Sequence, residues 1–149
     1  MTKIPEGFST ITSTLIVNGA AKAIDTYKKA FGATEVYRME TPDKKKIMHA
    51  CLQIGDSKLF LCDAMPEWGC GTPSSSSFYV YLDNVDDAFK KAKQAGLEEL
   101  SAVEDMFWGD RTGRLKDGFG NNWTLATHVR DVTDAEMEEA RKKMAKKAA

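Results

Sequence analysis

The sequence predicts an α+β fold in which two βαβββ units form a curved mixed sheet around a cavity, followed by a C-terminal helix. Strand-like and helix-like patterns occur in the same order twice along the 149 residues, as expected of an internal repeat. Both predicted helices also run into similar segments, Gly32-Ala33-Thr34-Glu35 and Gly96-Leu97-Glu98-Glu99. A chain of this length can bury one substantial core. We therefore expect a single domain over 1–149, with the units at about 8–64 and 76–129 and the last helix at about 133–147.

The first unit is predicted from residue spacing and from turn residues. A run rich in β-branched residues predicts a strand over 9–17. Apolar residues recur at helical spacing over 20–31, and Gly32 suits the end of that helix. Pro42-Asp43 and Gly55-Asp56 are typical of hairpin turns. Three further strands are therefore predicted over 34–40, 46–54 and 57–62.

The second unit follows the same order after a segment rich in Pro, Gly and Ser. A strand is predicted over 77–82, Asp83 is the expected helix cap, and Gly96 ends the helix. Three strands are then predicted over 98–103, 111–117 and 122–128. Thr133 and Glu136 have the spacing of a capping box, which places the start of the last helix just after Thr133.

Alternation along the predicted strands separates an aliphatic face from a mixed polar and aromatic face. The third strand sets Met48, Ala50, Leu52 and Ile54 against Ile47, His49, Cys51 and Gln53. In the fifth strand Ser77, Tyr79 and Tyr81 lie on the mixed face, and in the last strand Trp123 is expected in the core. Helices should cover the aliphatic faces, and the mixed faces have the composition of a ligand cavity. The alternative is a solvated sheet face.

Charge and hydropathy argue against two classes of partner. The net charge is −1 and no basic stripe is present, so we expect no nucleic acid partner. No apolar run approaches the roughly 18 residues of a membrane span, and the first residues do not resemble a signal peptide, so we expect no membrane partner. Cys51, Cys62 and Cys70 form no C-x-x-C pair, which suits a reducing, cytoplasmic location.

Several longer motifs lie within these units. They are NGAAKAIDTYKKAFGA at 18–33, IMHA at 47–50, IGD at 54–56, EDMFWGDR at 104–111 and DGFGNNW at 117–123. With the paired βαβββ order, they make the chain resemble the vicinal oxygen chelate superfamily, which includes glyoxalase I, extradiol dioxygenases and bleomycin-binding resistance proteins. Within it, the chain looks like the PhnB-like subgroup. The resemblance covers nearly the whole chain, although Ser13, Thr26 and Gly118 depart from that subgroup's usual Pro, Phe and Pro.

The resemblance also identifies where metal ligands would lie. Metal-using members place His or Glu on inner strand faces, and alignment with them puts Thr12, Ser77 and Thr124 at three of those positions. Hydroxyl groups are poor ligands for such a metal. We therefore expect no metal site. We also expect no other cofactor, because the glycine-rich loop that a nucleotide-type cofactor needs is not found.

His49 and Arg111 are the candidate catalytic residues. His49, on the mixed face, could act as a base, and Arg111, just after the aromatic pair Phe107 and Trp108, could clamp a carboxylate. The alternatives are a structural histidine, and a salt-bridged loop in which Arg111 and its acidic neighbours hold the hairpin shut. His128, the other histidine, could likewise be either a base or a structural histidine.

Three functions remain open at this point. The first is a metal-independent protein that binds a small organic molecule through Thr12, Ser77, Tyr79, Tyr81, Phe107, Trp108 and Thr124. The second is a small lyase, isomerase or transferase that uses His49 and Arg111, and the third is a metal-dependent glyoxalase-like or dioxygenase-like enzyme. We also expect a homodimer, because superfamily modules commonly pair edge to edge and a two-fold partner would cover exposed sheet edges.

Overall fold

The computed structural model describes residues 3–68 and 71–148, and its elements follow the predicted order. The first unit contains β1 (Ser13–Val17), α1 (Ala20–Phe31), β2 (Thr34–Glu40), β3 (Ile47–Ile54) and β4 (Ser57–Asp63). The second contains β5 (Ser76–Tyr81), α2 (Val85–Gln94), β6 (Glu98–Asp105), β7 (Asp110–Lys116) and β8 (Asn121–His128), and α3 (Asp134–Ala148) follows. The α+β class and the repeated βαβββ order are therefore confirmed.

Each unit forms its own four-stranded mixed sheet. The strand order is β1-β4-β3-β2 in the first sheet and β5-β8-β7-β6 in the second. In both sheets the first strand runs parallel to the last strand of its unit, and the remaining pairs are antiparallel. This identical topology confirms the internal repeat that the element order predicted.

The core lies on the helix-bearing faces of the two sheets. Both helices contact each other, and one cluster of buried residues draws on both units. Trp123 of β8 is 1% exposed, as predicted for a core residue, and packs on Tyr27 and Phe31 of α1 with ring centroids 5.1 and 4.4 Å apart. Burial of such large aromatic surfaces dominates core energetics. The first helix is thus anchored on the sheet of the second unit.

Three local expectations need correction. β1 begins at Ser13, opposite Leu59 of β4, and not at residue 9. The cap of α2 is Asn84 and not Asp83, because the helix begins at Val85 and the Asn84 side chain accepts a hydrogen bond from the Asp87 amide. Ile47, expected on the mixed face, is buried in the core at 2% exposure, next to a register shift between β2 and β3.

A buried carboxylate, Asp117, joins the two units from the turn between β7 and β8. It accepts hydrogen bonds from the Tyr27 hydroxyl at 2.5 Å and from the Trp123 indole at 2.9 Å. It also accepts from the Phe119 and Asn121 amides, at 2.8 and 2.9 Å. Burial, and then the bond to Asp117, raise the pKa of Tyr27 above its usual range. The phenol therefore stays a donor, and α1 of one unit is tied to the hairpin of the other.

The last strand of each unit also fixes the start of that unit's helix. Asp63, at the end of β4, accepts hydrogen bonds from the Gly19 and Ala20 amides at 3.0 and 2.9 Å. In the second unit the Thr127 hydroxyl of β8 accepts from the Val85 amide at 2.8 Å. These side chains satisfy amides that have no partner within the helix. The two units therefore also share the way in which a side chain of the last strand binds the amides at the start of the helix.

Helix α3 begins at the predicted capping box and stands apart from the core. The Glu136 amide donates to the Thr133 hydroxyl at 3.2 Å, and the Thr133 amide donates to the Glu136 carboxylate at 2.8 Å. No residue described in this helix is buried. Across residues 3–68 and 71–148, the helices lack the combination of length and hydrophobicity needed to cross a membrane.

We predict that Asp117→Ala lowers the free energy of unfolding by about 2–5 kcal/mol, because the Tyr27 and Trp123 donors would be left buried without an acceptor. Tyr27→Phe, which removes one donor, should cost only about 1–2 kcal/mol. Urea denaturation of both variants measures the difference. Asp25→Ala, on the exposed side of α1, is the matched control. An Asp117→Ala protein as stable as this control would show that the carboxylate does not hold the units together.

Candidate functional site

The mixed faces of the two sheets are open to solvent in a single chain. Tyr79 and Tyr81, on the mixed face of β5, are 45% and 63% exposed, while the opposite face of their sheet packs against the core. His49 lies on the mixed face of β3, in the other sheet. The structure therefore brings the two tyrosines together and places His49 in a separate group of aromatic residues.

That group forms a row across the first sheet. The His49 Nε2 atom and the Tyr37 hydroxyl are 2.9 Å apart, and the His49 ring contacts Phe60 with a centroid distance of 4.6 Å. Phe8, in the segment before β1, continues the row against Phe60 at 5.7 Å, and the Lys58 ammonium lies over the Phe8 ring at 4.4 Å. The first mixed face thus offers ring surfaces together with one imidazole–phenol pair.

The second mixed face is organised by a buried carboxylate, Asp110, at the start of β7. Asp110 is 1% exposed and accepts hydrogen bonds from the hydroxyls of Tyr79 at 2.6 Å and Tyr81 at 2.9 Å. His128 Nδ1 lies 2.8 Å from the same carboxylate, and His128 Nε2 lies 2.8 Å from Asp131. With both of its ring nitrogens beside carboxylates, the imidazole is suited to carry a proton on each.

The pKa shifts follow from these bonds. Burial would raise the pKa of the Asp110 carboxyl, but hydrogen bonds from Tyr79, His128 and Tyr81 outweigh burial and hold it below its ordinary value. Burial, and then the bond to Asp110, raise the pKa of Tyr79 to about 12. Bonds to Asp131, and then to Asp110, raise the pKa of His128. Near neutral pH the cluster is therefore an ionised carboxylate that accepts hydrogen bonds from two phenols and lies beside the His128 imidazole.

The predicted aromatic loop lies beside this cluster. The Trp108 indole donates a hydrogen bond to the Tyr79 hydroxyl at 3.1 Å, and Phe107 meets Trp108 edge to face at 4.9 Å. Phe107 also lines a groove along α3, with Met137 and Met144. The Tyr79 hydroxyl is occupied by Asp110 and Trp108, so Tyr79 and Tyr81 present mainly their ring faces, which are 5.2 Å apart between centroids.

Arg111 lies away from both groups, on the side of its sheet that carries α2. Its guanidinium forms ion pairs with Asp86 at 2.9 Å and with Asp105 at 3.2 Å. Bonds to Asp86, and then to Asp105, raise the pKa of Arg111 above its usual range. Asp105 is one of the acidic neighbours in the salt-bridged alternative, whereas Asp86 of α2 was not expected as a partner. The arrangement does not join Arg111 to His49 or to the tyrosines.

Two of the three hydroxyl residues, Ser77 and Thr124, lie on the mixed face of the second sheet, whereas Thr12 lies outside the strands. Thr124 of β8 is the register partner of Tyr79, and Ser77 is on the same side of β5 as Tyr79 and Tyr81. Thr12 precedes β1 and lines a small surface pocket with Phe8 and Lys58. A divalent metal needs convergent nitrogen, sulfur or carboxylate ligands, and this set of hydroxyls does not fit one. Within the described ranges, no group of three or more His, Cys, Asp and Glu residues is arranged to hold a metal.

Residues 9–125 match the family model of the Glyoxalase/Bleomycin resistance protein/Dioxygenase superfamily, and the chain belongs to this superfamily. Among curated sequences it is similar to uncharacterized proteins of Mycobacterium bovis and Mycobacterium tuberculosis H37Rv. It is 39% identical to each over 135 residues, which covers 85% of this chain and 88% and 78% of theirs. The resemblance inferred from the motifs is therefore confirmed.

Solved structures show the same fold at low sequence identity. TioX from Micromonospora sp. ML1 is 21% identical with a TM-score of 0.67, and the match covers 81% of this chain and 99% of TioX. A putative 3-demethylubiquinone-9 3-methyltransferase, the PhnB protein of Bacillus cereus, is 19% identical with a TM-score of 0.64, covering 80% and 99%. At these identities the likeness is one of fold.

The sequence did not indicate Tyr37 and Arg114 as residues of the mixed faces, and it placed Asp110 among the acidic residues of the aromatic loop rather than on a mixed face. Asp110 was assigned to the loop because β7 was expected to begin at Arg111. Strand alternation carried one residue further back would have put Asp110 and Arg114 on one face, with Arg111 on the other. Tyr37 carried no separate signal, since its partner His49 is on a different strand.

We predict that His128 stabilises the fold more at acidic than at alkaline pH. A folded-state pKa above the unfolded value of about 6.5 gives stability that is fully present below pH 6.5. This stability is lost as the pH rises through the raised folded pKa. His128→Gln should therefore lie further below wild type in urea denaturation at pH 5.5 than at pH 9. The gap should narrow in high salt, because the ring is half exposed. A gap that is equal at both pH values would contradict the ion-paired arrangement.

Proposed function

We propose that this chain binds a small planar organic molecule on its mixed faces, without a metal ion. The observation that carries this proposal is the Tyr79 and Tyr81 pair. Its hydroxyls are fixed by the buried Asp110, and its rings remain open to solvent. Both tyrosine side chains are already held in place in the free protein. A ligand that stacks on their rings therefore causes little further loss of side-chain entropy. Thr124 adds a hydroxyl in the same row, and Trp108 borders the site.

The proposed absence of a metal is supported by the side chains available. Ser77 and Thr124 on the second mixed face, and Thr12 near the first, supply hydroxyls where metal-using relatives are expected to supply His or Glu. The imidazole of His128 is engaged by Asp110 and Asp131. The ligand should therefore be held by ring stacking and hydrogen bonds rather than by coordination.

The cytoplasmic location expected from the cysteines remains a prediction, and Cys70 lies outside the described residues.

A second candidate function is a lyase, isomerase or transferase reaction, favoured by His49. The Tyr37 hydroxyl lies 2.9 Å from its Nε2 atom, so the pair could exchange a proton with a bound molecule. Arg111 supports this candidate weakly, because Asp86 and Asp105 already neutralise its guanidinium. His49→Ala would remove turnover in this candidate while leaving a pure binding function largely in place.

We also propose that two copies of the chain pair through these faces as a homodimer. Ile11, Tyr37 and Met39, on or beside the first mixed face, are 84%, 43% and 56% exposed. Exposed apolar side chains of this size, grouped on one side of a sheet, favour a protein partner. A second copy would cover them and would enclose the ligand sites, which are open in a single chain.

We predict that Tyr79→Ala weakens binding of the neutral ring probe 2-naphthamide about tenfold, because it removes one stacking surface. Tyr79→Phe keeps the ring and should stay within about threefold of wild type. Protein treated with EDTA should bind as well as untreated protein. Isothermal titration calorimetry measures all three, with Met144→Ala in the α3 groove as control. The proposal would be overturned if Tyr79→Ala kept full affinity for 2-naphthamide while Met144→Ala lost it. It would also be overturned if EDTA treatment lowered the affinity.

We predict a dimer at tens of micromolar protein, measured by light scattering coupled to gel filtration. Met39→Glu introduces a charge into the proposed interface and should shift the protein toward the monomer. Met144→Glu, on α3 and outside the mixed faces, is the matched control and should leave the mass unchanged. A wild-type protein with the mass of one chain would exclude the proposed pairing.

A further inference from the structure

Arg114 is a cation on the second mixed face. It lies on β7, on the same side of the strand as Asp110, and its side chain is exposed. In the register of the sheet its neighbours are Ser101 of β6 and Thr124 of β8. Thr124 is in turn paired with Tyr79 of β5. One row across the sheet therefore contains an arginine, a threonine and an aromatic ring.

The charges around Arg114 leave its guanidinium available. Lys116, the next cation on this face, lies 3.5 Å from the Glu98 carboxylate. The Asp110 carboxylate is occupied by the two tyrosines and His128. Across the described parts of the chain, Arg114 makes neither an ion pair nor a side-chain hydrogen bond, whereas Arg111 on the opposite face has two carboxylate partners. An arginine in this state can accept an anion without first breaking an existing pair.

The spacing suits one particular class of ligand. Neighbouring strands lie about 4.8 Å apart, so the backbones of Arg114 and Tyr79 are about 10 Å apart, with Thr124 between them. A ring that stacks on Tyr79 can direct a carboxylate across Thr124 toward the guanidinium. Guanidinium groups bind carboxylates through two parallel hydrogen bonds, which fixes the orientation of the ligand as well as its charge.

We propose that Arg114 makes this site selective for aromatic carboxylates. The inference rests on the proposed function, since it takes the Tyr79 and Tyr81 surface as the ring-binding site. It assigns the charge-recognising role to Arg114 in place of Arg111. The ring lies on Tyr79, the carboxylate pairs with Arg114, and the Thr124 hydroxyl donates a further hydrogen bond.

The test compares two probes of equal shape and different charge, 2-naphthoate and 2-naphthamide, by calorimetry at low salt. Wild type should bind the naphthoate about tenfold to a hundredfold more tightly, the range expected for a charge-assisted pair. Arg114→Gln should remove this preference and leave naphthamide affinity unchanged. Arg114→Lys should retain part of the preference, because it keeps the charge but not the two-pronged geometry. Arg141→Gln, an exposed arginine on α3, should leave the preference intact.

Three results would overturn the inference: equal affinity of wild type for the two probes, a preference that survives Arg114→Gln, or no binding of the naphthoate. Circular dichroism of each variant separates a lost contact from a lost fold. If naphthamide binds and responds to Tyr79→Ala while the naphthoate has no advantage, the proposed function stands and the role of Arg114 fails. If neither probe binds, both fail.

Discussion

The two helices pack against each other and against the aliphatic faces of the sheets, and this packing determines where a site can form. With α1 and α2 packed together and Trp123 inserted against α1, the aliphatic faces of both sheets are used by the core. The polar and aromatic faces must then point outward. Asp117 fixes the arrangement, because its carboxylate binds Tyr27 from one unit and Trp123 from the other. An open pair of mixed faces is therefore a consequence of how the core is built.

Two buried carboxylates with tyrosine partners have different consequences in this fold. Asp117 is surrounded by donors within the core and fixes the relative position of the units. Asp110 is buried beneath the outer face, and its donors are side chains whose rings remain exposed. Because an ionised carboxylate needs several donors when it is buried, Asp110 restricts Tyr79, Tyr81 and His128 together. The second mixed face is thereby organised before any ligand arrives.

The sequence predicted the elements well because their signals are local. Strand alternation placed Tyr79 and Tyr81 on one face, and helical spacing gave α1 with the observed bounds. Errors arose where a partner strand decides the outcome. The side chain of Ile47 lies in the core because the register between β2 and β3 shifts beside it. β7 begins one residue earlier than expected, so Asp110 lies on the strand and not in the loop. The partners of Arg111 on α2 and β6 depend on tertiary packing, which periodicity does not contain.

The fold leaves the mixed faces as the proposed site for an organic ligand that is held without a metal. Amide chemical-shift mapping shows where such a ligand binds when 2-naphthamide is titrated into the isotope-labelled chain in the presence of EDTA. We expect the largest shifts on 77–81 and 122–128, with Thr124 and Tyr79 among them. Shifts confined to the groove between Phe107 and α3, or shifts that appear only after a divalent metal replaces EDTA, would contradict this proposal.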